Sequence, residues 1–236
     1  MSFKIALTAG HYKYTAGKRC LKTLDKNETR EWFLNDRIAD KIEKLLKNYV
    51  GYSLLRTDDT SGEKAVPNEE RVKAANNFKA DIYISIHHNA GVNGGKGGGI
   101  VAYTYNKVDA KTKAWQKELY NALVKATGLK GNRAQPLATS NLYECRCTTM
   151  PAVLLELGFM DSATDVPIIL TEEYADKCAA AIVEVLVKKG GLQKKAAPKP
   201  DKLYRVQCGA FSNPDNAEAL KKKLEKAGFD AIIVEV

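Results

Sequence analysis

The sequence predicts an α/β domain: a mostly parallel, twisted sheet flanked by helices on both faces. A small strand–helix–strand module of α+β type follows it. Three observations carry this expectation. Short apolar runs alternate with segments of helical period along the first 189 residues. The run Ile82-Tyr83-Ile84-Ser85-Ile86 is nearly continuous in apolar residues, as strands buried on both faces are. Composition shifts once, at Gly190-Gly191 through Pro198-Lys199-Pro200, where large apolar residues almost vanish.

The elements follow in order. Residues 4–7 read as a first strand. Residues 28–49 read as a helix with Leu34, Ile38, Ile42, Leu45 and Leu46 on one face, and Asp25 with Glu28 resembles a capping box at its start. Strands are expected at 52–55, 81–87, 99–104 and 152–157, and helices at 68–78, 110–127 and 172–189. Strands alternating with helices of this length form a parallel sheet with covered faces, and ligands collect at the strands' carboxyl ends. The domains are then 1–189, a linker over 190–202, and a module over 203–236. In the module Tyr204, Val206, Cys208 and Ala210 alternate, Asn213-Pro214-Asp215 opens a helix, Gly228 stops it, and 231–236 forms a second strand. A unit this small cannot bury both faces of its elements alone.

Composition narrows the function classes. The chain has 236 residues, 44% of them hydrophobic, with 37 Lys+Arg against 28 Asp+Glu. It is too apolar for wholesale disorder, and no run reaches the roughly 20 residues that span a bilayer. The opening apolar stretch is too short for a secretion signal, so synthesis in the cytoplasm without export by that route is expected. Five cysteines at irregular spacing argue for reduced thiols rather than a disulfide framework, and Cys145 and Cys147 read as structural. Of the formal +9 charge, +6 lies before Gly190 and +3 after it. That balance draws the chain to anionic partners in a salt-dependent way. No aromatics interleave with a basic stripe, which speaks against nucleic acid. No membrane partner is expected. The Gly-rich stretch 91–99 lacks phosphate-loop spacing and reads as a flexible loop beside the site.

All three histidines fall at predicted carboxyl ends of strands: His11 after the first, His87 and His88 at the end of 81–87. Two such histidines suggest zinc, which takes three protein ligands and keeps one position open when catalytic. His88 as third ligand is awkward, because adjacent strand residues point to opposite faces. A carboxylate suits better: Glu31, on the core side of the first helix, or Glu28 one turn earlier. Glu156 stands inside the apolar string Ala152-Val153-Leu154-Leu155-Glu156-Leu157, where an acid is costly unless paired or functional. It suits a general base and acid.

Four ordered motifs then resemble the zinc-dependent N-acetylmuramoyl-L-alanine amidases of the amidase-3 type. Gly10-His11 matches the opening motif, with Thr8-Ala9 where Asp-Pro is usual. Glu31, Asn35 and Ala39 match the second. Ser85-Ile86-His87-His88-Asn89-Ala90 matches the third and leaves His88 at its variable position. Met150 to Phe159 matches the fourth. The resemblance implies Zn2+ held by His11, Glu31 and His87, with Glu156 as catalytic acid/base. It implies hydrolysis of the bond between N-acetylmuramic acid and L-alanine in peptidoglycan. Arg133, Tyr143 and Arg146 read as surface residues before substrate contacts. The tail, through Tyr204–Ser212, Asn216-Ala217 and Ala227-Gly228-Phe229, resembles one sporulation-related (SPOR) repeat, a glycan-strand binder. One repeat is half the usual domain, which implies a homodimer through two tails. The expected role is a phage or prophage endolysin, or an autolysin, that reaches the wall after release through a holin or by cell lysis. The rival readings are a zinc peptidase on the stem peptide and a non-catalytic wall binder.

Overall fold

A computed structural model describes residues 2–196 and 204–235. They fall into two compact units, Met1–Lys195 and Ala196–Val236. In the first, β1 (Phe3–Ala9) leads to α1 (Glu31–Leu46), β2 (Tyr49–Val50), β3 (Tyr52–Arg56), α2 (Asn68–Phe78) and β4 (Ile82–Asn89). β5 (Ile100–Thr104), α3 (Ala110–Thr127), β6 (Leu137–Thr139) and α4 (Tyr143–Cys147) follow. β7 (Ala152–Phe159), α5 (Val166–Ile169), α6 (Glu172–Gly190) and β8 (Gln193–Lys194) complete the unit.

The main sheet has six strands in the order β3-β1-β4-β7-β5-β6, and every pair is parallel except β5 with β7. The two faces are covered unequally. Ile5 and Leu7 of β1, Ile82, Ile84 and Ile86 of β4, and Val153, Leu155 and Leu157 of β7 form one large core with α1, α3 and α6. The opposite face carries a small cluster of Ala6, Ala75, Ala80, Tyr83 and Ala152 beneath α2. The period-2 alternation of these strands decides which residues reach which face. Ile38, Ile42 and Leu46 of α1 are fully buried. Each stabilises the packing by about 1.5–3 kcal/mol through removal of apolar surface from water.

Helix ends explain where the elements stop. Asp109 caps α3 by accepting from the Thr112 N–H at 2.7 Å, and Gly128 ends it in the left-handed region. Thr171 caps α6 in the same way, and Gly191 ends it. The first helix departs from expectation. It starts at Glu31, not at residue 28, and the Asp25/Glu28 pair is no capping box. Asp25 accepts from the Asn27 and Thr29 N–H groups within a loop, and Glu28 has φ +48°, outside any helix. Arg19 and Arg30 form an isolated antiparallel bridge there, which holds the chain extended up to the helix start.

Other differences follow from tertiary pairing. The stretch 190–195, at the front of the expected linker, lies within the first unit. There Leu192 is buried and β8 pairs antiparallel with β2. The rest of the linker, 197–203, lies outside the described residues. The loop 91–99 is tethered rather than loose. The Asp161 carboxylate accepts from the N–H groups of Gly91, Val92 and Asn93, and that of Asp165 from Gly99.

In the second unit α7 (Pro214–Lys226) starts at the Asn213 cap, as the sequence predicts. The two flanking strands of the expected strand–helix–strand module are not formed among the described residues, so α7 is the one regular element among the described residues of this unit. A strand needs a partner for its backbone groups. Here Tyr204, Val206 and Ile232 remain more than 80% exposed.

Candidate metal centre and active site

The sheet order sets β1, β4 and β7 side by side, and each delivers one residue of the site. His11 lies just past β1, where the Gly10 N–H donates to the Ile86 carbonyl at 2.9 Å. His11 itself has φ +67°, a strained conformation for a residue with a Cβ. The buried Arg71 of α2 holds it there. Its guanidinium donates to Thr8 Oγ1 and the Ala9 carbonyl at 2.7 Å and to the His11 carbonyl at 2.9 Å. Gly10 must be glycine: a Cβ there would overlap the His87 ring.

Glu31 is the first residue of α1 and is fully buried. Its Oε2 lies 3.2 Å from His11 Nε2 and its Oε1 3.1 Å from His87 Nδ1. Burial alone would raise the Glu31 pKa, but the two histidine rings facing its oxygens hold it well below the usual carboxylate range. Asn35, one turn on, braces the cluster. Its amide donates to the Gly10 carbonyl at 3.0 Å, and its Oδ1 lies 2.8 Å from His88 Nδ1. His88 therefore points away from the cluster, and burial lowers its pKa to about 3, so it stays neutral. Glu28, the other carboxylate candidate, pairs with Arg19 at 3.3 Å and is not part of the cluster.

His11, Glu31 and His87 each offer a ligand atom, all within 4.8 Å of one another. The residues fit a cation. His11 Nε2 and Glu31 Oε2 are buried without a hydrogen-bond partner among the described residues although they face each other. Tetrahedral zinc with ligands at about 2.0–2.1 Å sets neighbouring ligand atoms about 3.3 Å apart, close to the two separations found here. The donor set, two imidazoles and one carboxylate, is of the kind that holds catalytic zinc.

Two further carboxylates flank His87. Glu156 on β7 is its direct partner in the parallel register, so both side chains rise from the same face of the sheet. Burial pushes the Glu156 pKa up to about 7, against the pull of His87. Its Oε2 is buried with no hydrogen-bond partner among the described residues, which leaves it free to take a proton. Glu144 on α4 is the residue that sequence reasoning missed. It is 4% exposed, and its Oε2 lies 3.8 Å from His87 Nε2. Helical period could not mark it, because α4 is only five residues long. Burial would lower the pKa of His87, but the Glu144 and Glu31 carboxylates on either side of the ring outweigh it and raise the value to about 10.

The remaining candidates lie in ordinary contacts. Arg133 stacks 4.3 Å over the Phe159 ring, and Arg146 bonds Asn141 at 2.7 Å and covers the Tyr143 ring. Cys145 is buried as a small hydrophobe, with its thiol pushed up to about 12 by desolvation.

A mostly parallel α/β sheet with a His/Glu/His cluster and a half-buried acid beside it at the strands' carboxyl ends defines a hydrolase with a candidate metal centre. Residues 5–188 match the family model described as N-acetylmuramoyl-L-alanine amidase, and residues 200–236 match the SPOR domain. The chain belongs to the N-acetylmuramoyl-L-alanine amidase family and is a peptidoglycan hydrolase of that class. It is 33% identical over 211 residues to the sporulation-specific N-acetylmuramoyl-L-alanine amidase of Bacillus subtilis (strain 168), covering 88% of this chain and 77% of that protein. It is 29% identical over 224 residues to the endolysin of Bacillus phage SPP1, covering 91% and 79%. The structure resembles the catalytic domain of CwlV, an N-acetylmuramoyl-L-alanine amidase from Bacillus (Paenibacillus) polymyxa var. colistinus. The TM-score is 0.70 at 25% identity, over 81% of this chain and 99% of that one.

Proposed function

We propose that the chain cleaves the amide between N-acetylmuramic acid and L-alanine with zinc held by His11, Glu31 and His87, and with Glu156 as acid/base. The observation that carries this is the convergence of the three ligand atoms, with Glu156 beside His87 in register. Zinc held by these residues would supply a Lewis acid and make water a nucleophile near neutral pH. His11 and His87 present ring nitrogens towards Glu31, and Asn35 with Arg71 keeps that arrangement rigid. Glu156, its pKa raised to about 7, is poised to take a proton from the attacking water at neutral pH. It then returns that proton to the departing amine of L-alanine. The buried apolar strand around it excludes bulk water, which strengthens both transfers.

The experiment is digestion of purified peptidoglycan with and without chelator, followed by mass spectrometry of the new termini. A free L-alanine amine, lost with chelator and restored by zinc, is expected. Cleavage within the stem peptide would replace this reading with a peptidase.

The SPOR-matching tail serves to hold the enzyme on glycan. Two tails from two chains pair the segments that flank α7 into a shared sheet. The exposure of the apolar side chains Tyr204, Val206 and Ile232 supports this. Sedimentation of the full chain at micromolar concentration checks it, and a monomer counts against it. The enzyme reaches the wall after synthesis in the cytoplasm, on release by a holin or by lysis; the likeness to the phage SPP1 endolysin supports this route. Fractionation of intact producing cells checks it: the protein is expected inside until lysis.

A further inference from the structure

Three residues on one face of β4, at period-2 spacing, address a single carboxylate on α4. The Tyr83 hydroxyl donates to Glu144 Oε1 at 2.5 Å. Ser85 Oγ lies 3.4 Å from each Glu144 oxygen. His87 Nε2 lies 3.8 Å from Glu144 Oε2. Glu144 is itself outside the His11, Glu31, His87 group. It touches only the edge of His87 turned away from Glu31, since Nδ1 is the nitrogen that faces Glu31 at 3.1 Å. Desolvating a carboxylate this fully is costly unless it is held and used. The Tyr83 and Ser85 hydroxyls hold it; neither reaches the cluster's ligand atoms.

We propose that Glu144 is the positioning residue of the metal centre: it accepts the Nε2–H of His87 and so fixes the tautomer whose Nδ1 lone pair faces the cation. An imidazole that ligates through one nitrogen needs its proton on the other, and a carboxylate there orients the ring and makes it a better donor. His87 Nε2 is buried with no hydrogen-bond partner among the described residues, and Glu144 Oε2, 3.8 Å away, is the carboxylate oxygen placed to accept from it. The 3.8 Å separation closes by a small rotation of the ring or the carboxylate. Tyr83 and Ser85 limit where the carboxylate can go. The roles divide cleanly: Asn35 braces the strand through His88, whereas Glu144 sets the proton of the ligand itself.

The inference rests on the reading of His11, Glu31 and His87 as metal ligands, and the test separates the two. Zinc affinity is measured by competition with a chromophoric chelator on the full chain, and the His87 tautomer by two-bond 1H–15N correlation on the zinc-loaded protein. Glu144→Gln keeps the shape and removes the charge. Zinc affinity is expected to fall ~10–100-fold. The Nε2–H signature of His87 should weaken while the near-UV circular dichroism of the chelated protein stays as in the wild type. If Glu144→Gln does not fold, Tyr83→Phe and Ser85→Ala are read instead, each with a severalfold loss in the same two measurements. Unchanged affinity and an unchanged tautomer in the folded variants overturn the role of Glu144 and leave the metal centre standing. Failure of the wild-type chain to bind zinc overturns the metal centre, and this inference with it.

Discussion

His87 and Glu156 are direct partners in the parallel ladder between β4 and β7, so a candidate ligand and a candidate proton carrier stand side by side on one face of the sheet. The arrangement separates two functions that a single substitution can test. Glu156→Gln keeps the three-residue cluster intact. It is expected to bind zinc as the wild type does and to lose ~10²–10⁴ in kcat, the usual contribution of a positioned acid/base. Full activity in this variant would remove Glu156 from the chemistry.

The same carboxyl gives a pH dependence of stability. Its folded pKa lies near 7, above the usual value of 4.5. Between those values the folded chain holds a proton that the unfolded chain releases. The stabilisation is therefore complete below 4.5 and is lost as pH rises through about 7. In chelator, the wild type should lose stability relative to Glu156→Gln between pH 5 and pH 8. Urea unfolding at both pH values measures this, and parallel curves would contradict it.

Arg71 links α2 to the strained residue His11 through four hydrogen bonds, to Val66 as well as Thr8, Ala9 and His11. Arg71→Met leaves those buried carbonyls without donors, at a cost of about 3 kcal/mol. It also frees His11 from φ +67°. The variant is expected to bind zinc more weakly even at temperatures where it is folded. Calorimetric zinc titration below the Tm tests this.

A second buried arginine works only for stability. Arg56 pairs with Asp36 and Asp58 at 2.7 Å and with Asp40 at 2.8 Å. Arg56→Met strands buried carboxylates and should cost about 3–5 kcal/mol at neutral pH. Its zinc affinity should match the wild type, since Arg56 does not touch the cluster. Chemical unfolding beside zinc titration distinguishes the two effects.

Much of this protein was legible in its sequence. Apolar period located the main strands and helices of the first unit, because burial on a helix or sheet repeats at fixed spacing. In the structure Asp109 and Gly128 bound α3, and Thr171 and Gly191 bound α6. The motifs singled out His11, Glu31, His87 and Glu156, and the structure brings the first three together, with Glu156 next to His87. Tertiary structure decided the rest. The order β1-β4-β7 is a matter of chain crossing, which no local pattern records. Glu144 and Arg71 look like surface charges in the sequence. Each is buried only because distant segments close over it and satisfy it with partners 59 to 63 positions away. The tail marks the opposite limit. Its alternating residues have the period of strands, yet they form none among the described residues, since period sets a face and pairing needs a neighbour.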